Sequence, residues 1–229
     1  MFKSRSHNKE LLDGDAIPAG DLRQNLRELH TINSLLGGYR ISFKALEEVL
    51  QSNQPAVMVD IGCGGGDTVK AVYKWSIKKN YKLQVNGVDI KDECIAYSKN
   101  NNSSVPAASF ICDDYRNCMR HIPKIDILHA SLFCHHLSNE EIVQLVRFAI
   151  DNGITLVIND LERNPLAYYS IKMLTRLFSG SYLVRNDAPL SVLRGFKKQE
   201  WRDLITQAGA KKFSIKNRWA FRHEVIVYS

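Results

Sequence analysis

Apolar residues return along this chain with two different periods. Across residues 21 to 36, "DLRQNLRELHTINSLL", Leu22, Leu26, Leu29 and Leu36 fall near one helical face. Asp21, three residues before Gln24, predicts a capped start, and Gly37-Gly38 predicts the stop. A second helix is expected over 41 to 51, ahead of the break at Pro55. Beyond it, short apolar runs at 56–61, 83–89, 108–112, 125–130 and 154–159 read as strands, and amphipathic stretches at 67–79, 92–100 and 139–151 read as helices. Asn164 followed by Pro165 predicts the start of an inserted helix within residues 160–196. The chain then reads as a helix at 197–208 and two strands, 212–217 and 223–228, close enough to form a hairpin.

Strands alternating with helices make βαβ units. The fold expected is α/β: a Rossmann-like, doubly wound, mostly parallel seven-stranded sheet with an antiparallel C-terminal hairpin at its edge, N-terminal helices and a helical insertion after the fifth strand. We read residues 1–229 as one domain, with an N-terminal helical cap at 1–54, a core at 55–160, a cap insertion at 161–196 and a closing helix and hairpin at 197–229.

Composition changes this picture little, but charge does. The 45% hydrophobic and 24% charged content is that of an ordinary globular domain. Of the net charge of +7, residues 163–222 carry 13 Lys/Arg against 3 Asp/Glu, so the rest of the chain is slightly acidic. Such a field suits an acidic partner, or is simply a solvated face. The opening "MFKSRSHNKELLDG" has no apolar stretch, and no run nears the roughly 18 apolar residues of a membrane span, which predicts a cytoplasmic protein. Five cysteines without a CxxC pair read as reduced thiols.

The chemistry concentrates in "VMVDIGCGGGDTVKAV", residues 57–72. A dinucleotide turn needs G-x-G-x-x-G, yet the third glycine counted from Gly62 and Gly64 is replaced by Asp67. Carboxylates at Asp60 and Asp67 would repel a diphosphate and attract a cationic ligand. The pattern Asp60, Gly62, Gly64, Gly66 resembles the first motif of class I S-adenosylmethionine-dependent methyltransferases. "VNGVDI", "SFICDD" and "IDILHASLFCHHLSNEEI" are similar to that family's second, third and fourth strand-end motifs.

The resemblance implies S-adenosylmethionine as cofactor and S-adenosylhomocysteine as product. It places Asp89 on the ribose hydroxyls with Ile90 beside it, Asp113 near the adenine amino group with Asp114 next to it, and Ser131 along the methionine part. Gly62, Cys63, Gly64 and Gly66 would border the cofactor, Asp60 would lie close to it, and Arg40 could fork onto its carboxylate. Two further segments, 11–40 and 159–196, look like bacterial small-molecule methyltransferases of quinone and polyketide type. They imply methylation of a phenol or similar hydroxyl on a hydrophobic small molecule in secondary metabolism. The competing readings are a nucleic-acid or carrier-bound substrate, and a non-catalytic cofactor-binding module. Against nucleic acid, residues 130–136 read "ASLFCHH" where enzymes that methylate exocyclic base nitrogens carry an Asn/Asp-Pro-Pro-aromatic run.

His135 and His136 follow the fourth strand and are the candidate general bases, because imidazole titrates near neutrality. No metal is expected, since adjacent residues do not readily converge on one ion and no distant second cluster is visible. Asp160, Glu162 and Arg163 at the exit of the fifth strand, with Tyr169 and Arg194, are the candidate substrate residues. Leu166, Tyr169, Met173, Leu174 and Leu177 form a stripe that belongs either to the core or to a substrate wall.

Overall fold

Two helices precede the first strand in the computed structural model, which describes residues 1–14, 17–105 and 108–229. They are α1 (Ala19–Leu35) and α2 (Gly38–Val49), followed by β1 (Ala56–Ile61), α3 (Asp67–Lys78), β2 (Leu83–Asp89), α4 (Asp92–Asn101) and β3 (Phe110–Cys112). Next come α5 (Cys118–His121), β4 (Ile127–Ser131), α6 (Asn139–Asp151), β5 (Thr155–Leu161), α7 (Pro165–Phe178) and α8 (Tyr182–Arg194). The chain ends with α9 (Lys198–Gln207), β6 (Phe213–Arg218) and β7 (Arg222–Val227).

One seven-stranded sheet runs in the order β3-β2-β1-β4-β5-β7-β6. The first five strands are parallel, and β7 runs antiparallel to both of its neighbours. The reversed strand therefore lies one place in, and β6 forms the edge that the sequence reading gives to the hairpin as a whole. Alternate residues feed two cores. Val59, Ile61, Leu156 and Ile158 pack with α6 and α9, whereas Met58, Val85 and Val157 pack with α2 and α3.

Three local features depart from the sequence expectation. α1 starts at Ala19 after Pro18, so Asp21 sits in its first turn and does not cap it. α2 begins at Gly38, because Gly37 alone takes the left-handed conformation that ends one helix and starts the next. α8 has no counterpart in the sequence reading. It contains Pro189, and its buried face mixes Leu183 and Val184 with Asp187, Ser191 and Arg194, so it shows no amphipathic period. No helix among the described residues is long and apolar enough to cross a membrane.

A buried polar chain crosses the carboxyl end of the sheet. Asp60 Oδ1 meets His129 Nδ1 at 2.7 Å, and His129 Nε2 meets Ser42 Oγ at 2.9 Å. Asn159 Nδ2 donates to Ser42 Oγ at 3.2 Å and to Gly38 O at 2.9 Å. Arg222 then donates from Nη1 to Asn159 Oδ1 at 3.3 Å and from Nη2 to Asn33 Oδ1 at 2.9 Å. With His129 donating from Nδ1 and Ser42 donating to Nε2, each link is satisfied in one sense. β1, β4, β5, β7 and both N-terminal helices are thereby locked together.

We expect His129→Leu, which leaves Asp60 buried without its partner, to cost about 3–5 kcal/mol in urea unfolding. A cost under about 1 kcal/mol would show that this chain does not hold the sheet edge.

Candidate active site

The sequence of strands reverses direction between β1 and β4, and in open α/β sheets that switch point is where ligands bind. The glycine turn leaves β1 there. Gly62 and Gly64 both have positive φ, at 62° and 50°. A Cβ on Gly62 would fall 2.1 Å from Phe133, so that glycine makes room for the protein itself. A Cβ on Gly64 meets only Leu26, at 3.6 Å, on the side that borders the cleft. Asp89 at the end of β2 steadies the turn: Oδ2 accepts from Gly64 N at 2.9 Å and Oδ1 from Lys91 N at 3.0 Å.

The cleft over this turn has a volume of about 730 Å³. Gly62, Cys63, Gly64, Asp67, Asp89 and Ile90 line its floor, and Asp113, Asp114 and Ser131 continue it along the ends of β3 and β4. His121 and Asn117 side chains bind Asp113, at 2.7 and 2.9 Å, and hold its carboxyl down to about 2. Asp114 is paired with Arg116. This is a carboxylate-rich floor beside an open glycine turn. It suits a ligand that carries hydroxyls, an amine and a sulfonium, and it disfavours a diphosphate. One buried donor on the wall, Asn25 Nδ2 in α1, has no hydrogen-bond partner. S-adenosylmethionine fits these features.

The opposite wall is built by the segment after β4 together with α7, α8 and the N-terminal residues. Asp160 accepts from His135 N at 3.0 Å with Oδ2 and meets His135 Nδ1 at 2.7 Å with Oδ1. Burial alone would raise the Asp160 carboxyl, but the charge and hydrogen bond of His135 hold it below its usual value. Asp13 meets His136 Nδ1 at 3.0 Å and accepts from Arg194 Nη1 at 2.9 Å. Glu10 lies between the two rings, and burial pushes its carboxyl up to about 7. Glu10, Asp13, His135 and His136 all border the cleft.

The structure moves eight sequence candidates away from the cleft lining. Asp60 is buried beneath the turn against His129. Gly66 packs under it, where a Cβ would strike Asn102 and Phe110. Arg40 is exposed on the first turn of α2, because that helix starts earlier than the sequence suggests. Asp160 is fully buried behind His135. Arg163 is buried too, bound to Glu200 at 2.6 and 2.9 Å and to the Gly195 carbonyl at 2.7 Å. Glu162 accepts from Asn164 Nδ2 at 3.3 Å. Arg194 spends its guanidinium on the His135, His136 and Asn8 carbonyls and on Asp13. Tyr169 is exposed, as are Leu166, Met173 and Leu177, so of that stripe only Leu174 reaches the cleft and none joins the core. From α7 the cleft takes Ala167, Ser170, Ile171 and Leu174.

Sequence reasoning misses Glu10, Asp13 and Asn25. Glu10 and Asp13 lie more than 120 positions from their histidine partners. A single local signal was present, the acidic spacing in "KELLD", and it reads equally well as a solvated turn.

The two cleft-side glycines have separable roles. Gly62→Ala should lower the melting temperature with no ligand present, because it meets both the strained φ and Phe133. Gly64→Ala should melt within a few degrees of the native protein, at a strain of about 1–3 kcal/mol, yet lose stabilisation by S-adenosylhomocysteine in a thermal-shift series. Equal behaviour of the two variants would contradict this division.

The family described as "Methyltransferase domain" matches residues 58–151. No curated protein matches the chain. Among solved structures, the plantazolicin methyltransferase BamL, in complex with a triazolic desmethylPZN analog and SAH, is 18% identical at a TM-score of 0.60, covering 90% of this chain and 88% of that one. The plantazolicin methyltransferase BpumL in complex with SAH is 16% identical at 0.62, over 90% and 88%. The pyocyanin biosynthetic protein PhzM is 15% identical at 0.54, over 86% and 55%. These likenesses establish the fold, and the family match adds the cofactor-binding half. The family likeness covers residues 58–151, under half of the chain, from within β1 to the end of α6.

Proposed function

We propose that this chain methylates a hydroxyl oxygen on a small apolar molecule of aromatic, polyketide or quinone-like type. The observation that carries the reading is continuity: one cleft runs from the glycine turn to the His135–His136 wall, in the size range of small-molecule sites. Leu12, Leu137, Ile171, Leu174 and Val192 make the acceptor end apolar.

When bound, the cofactor supplies a methyl carbon on a positive sulfonium, open to displacement by a nucleophile. Asp89 accepts from the ribose hydroxyls, Asp113 accepts from the adenine amino group, and Ile90 and Asp114 border that end. Gly62, Cys63, Gly64 and Ser131 flank the methionine portion. Asn25, in the place first given to Arg40, donates to its carboxylate. Residues 1–14 and 161–196 act as the cap that shapes the acceptor pocket and excludes water. An attacking hydroxyl must lose its proton, and His135 and His136, each oriented by a carboxylate on Nδ1, face the cleft to receive it. Alignment in a dry pocket supplies most of the acceleration, and proton removal adds roughly 10²–10⁴-fold.

Charge supports a small acceptor over nucleic acid. In the basic late region, five of the thirteen cations are already committed, Arg163, Arg194, Lys216 and Arg218 in ion pairs and Arg222 by burial, so part of the excess is neutralised within the fold.

Incubation with the methyl donor and a panel of phenols and hydroxyquinones should give products in which NMR places the new methyl on oxygen; methyl on carbon or nitrogen would overturn the oxygen assignment. Asp89→Ala should weaken S-adenosylhomocysteine binding at least about tenfold in calorimetry, since hydrogen bonds to a charged group contribute about 1.5–3 kcal/mol. Unchanged affinity would remove Asp89 from the ribose.

A further inference from the structure

His135 and His136 lie side by side, ring centroids 4.3 Å apart, in the one-turn helix Cys134–His136 that follows β4. Each Nδ1 is taken by its own carboxylate, Asp160 for His135 and Asp13 for His136. Each Nε2 is left toward a third carboxylate from a distant part of the chain. His135 Nε2 stands 3.7 Å from Glu10 Oε1, and His136 Nε2 stands 3.9 Å from Glu10 Oε2. Both separations are too long for hydrogen bonds. The three ligand atoms lie within 4.8 Å of one another.

We propose that Glu10, His135 and His136 form a binding site for a first-row divalent transition-metal ion, Zn²⁺ being the best match, with its remaining position open to the cleft. Bonds of about 2.0–2.1 Å place tetrahedral ligand atoms about 3.3 Å apart, so the two Glu10–histidine spacings of 3.7 and 3.9 Å need to close by about half an ångström. Two imidazoles and one carboxylate suit Zn²⁺, Fe²⁺ or Co²⁺ better than Mg²⁺ or Ca²⁺, which prefer an all-oxygen shell. The carboxylates on both Nδ1 atoms are the outer partners that metal-bound histidines ordinarily have, fixing the tautomer that leaves Nε2 free.

The charge around the site points the same way. Glu10, Asp13, Asp160 and Asp187 surround it, against the guanidiniums of Arg5 and Arg194, so that with Glu10 ionised, as a metal ligand is, the excess is two negative charges. A divalent cation would cancel that excess. The sequence argument against a metal fails on two physical points: a tight helical turn lets adjacent histidines present Nε2 to the same side, and the missing ligand comes from the N-terminal arm. An acceptor hydroxyl would fill the open position, where the bound cation would favour loss of its proton in place of the two imidazoles, whose Nε2 atoms would then be occupied; only this last step rests on the methyl-transfer reading.

The tag-free full chain, stripped with a chelator, should bind one Co²⁺ with the visible absorption of a nitrogen–oxygen site, and ZnCl₂ should displace it. Glu10→Gln and His136→Gln should each weaken Co²⁺ binding about tenfold or more. Calorimetry with S-adenosylhomocysteine on the same samples reports folding and separates the two readings. A chain that binds S-adenosylhomocysteine but no Co²⁺, or whose two variants bind Co²⁺ like the native protein, overturns the metal site alone. A chain that binds Co²⁺ through these residues but no S-adenosylhomocysteine upholds the metal site and removes the methyl-donor reading.

Discussion

The buried chain Asp60–His129–Ser42–Asn159–Arg222–Asn33 is the constraint on which the site depends. It lies directly beneath the cleft and joins strands that are far apart in sequence, at the depth where an unpaired polar group is most costly. Because Asp60 is held from below, the glycine turn above it is free to present backbone to a ligand. The same chain fixes α1 and α2, and with them the Asn25 and Leu26 wall.

A second polar system governs the other end of the cleft. Asp160 at the end of β5 grips His135 by both its amide and its ring, and Asp13 grips His136. Arg5 and Arg194 then tie the N-terminal arm and α8 to the backbone of that same segment. The glycine-turn end and the histidine end are thus built by different devices. The first is strand-end carboxylates and a turn from a βαβ core; the second is an appended cap stitched down by charge.

Legibility in the sequence follows this division. Strands β1 to β5 were readable as short apolar runs, and helices α3, α4 and α6 because each has one buried stripe, with turn residues at the ends of both kinds of element. The glycine turn and the strand-end acids were readable because their function depends on local spacing. α8 was not, since polar residues on its buried face and an internal proline erase the periodic signal. Arg163 and Arg194 lie outside the cleft lining for a related reason: charged residues look alike in sequence whether they face a ligand or, as here, bind buried carbonyls. Glu10 and Asn25 act through distant partners, and no local pattern encodes that.

The central claim is that the pocket at the β1 turn is made for an adenosyl sulfonium and not for a diphosphate. Calorimetric titration of the native chain with S-adenosylhomocysteine and, separately, with NAD⁺ tests it most directly. The account predicts one site per chain for S-adenosylhomocysteine and no heat with NAD⁺; saturable NAD⁺ binding that excludes S-adenosylhomocysteine would contradict it.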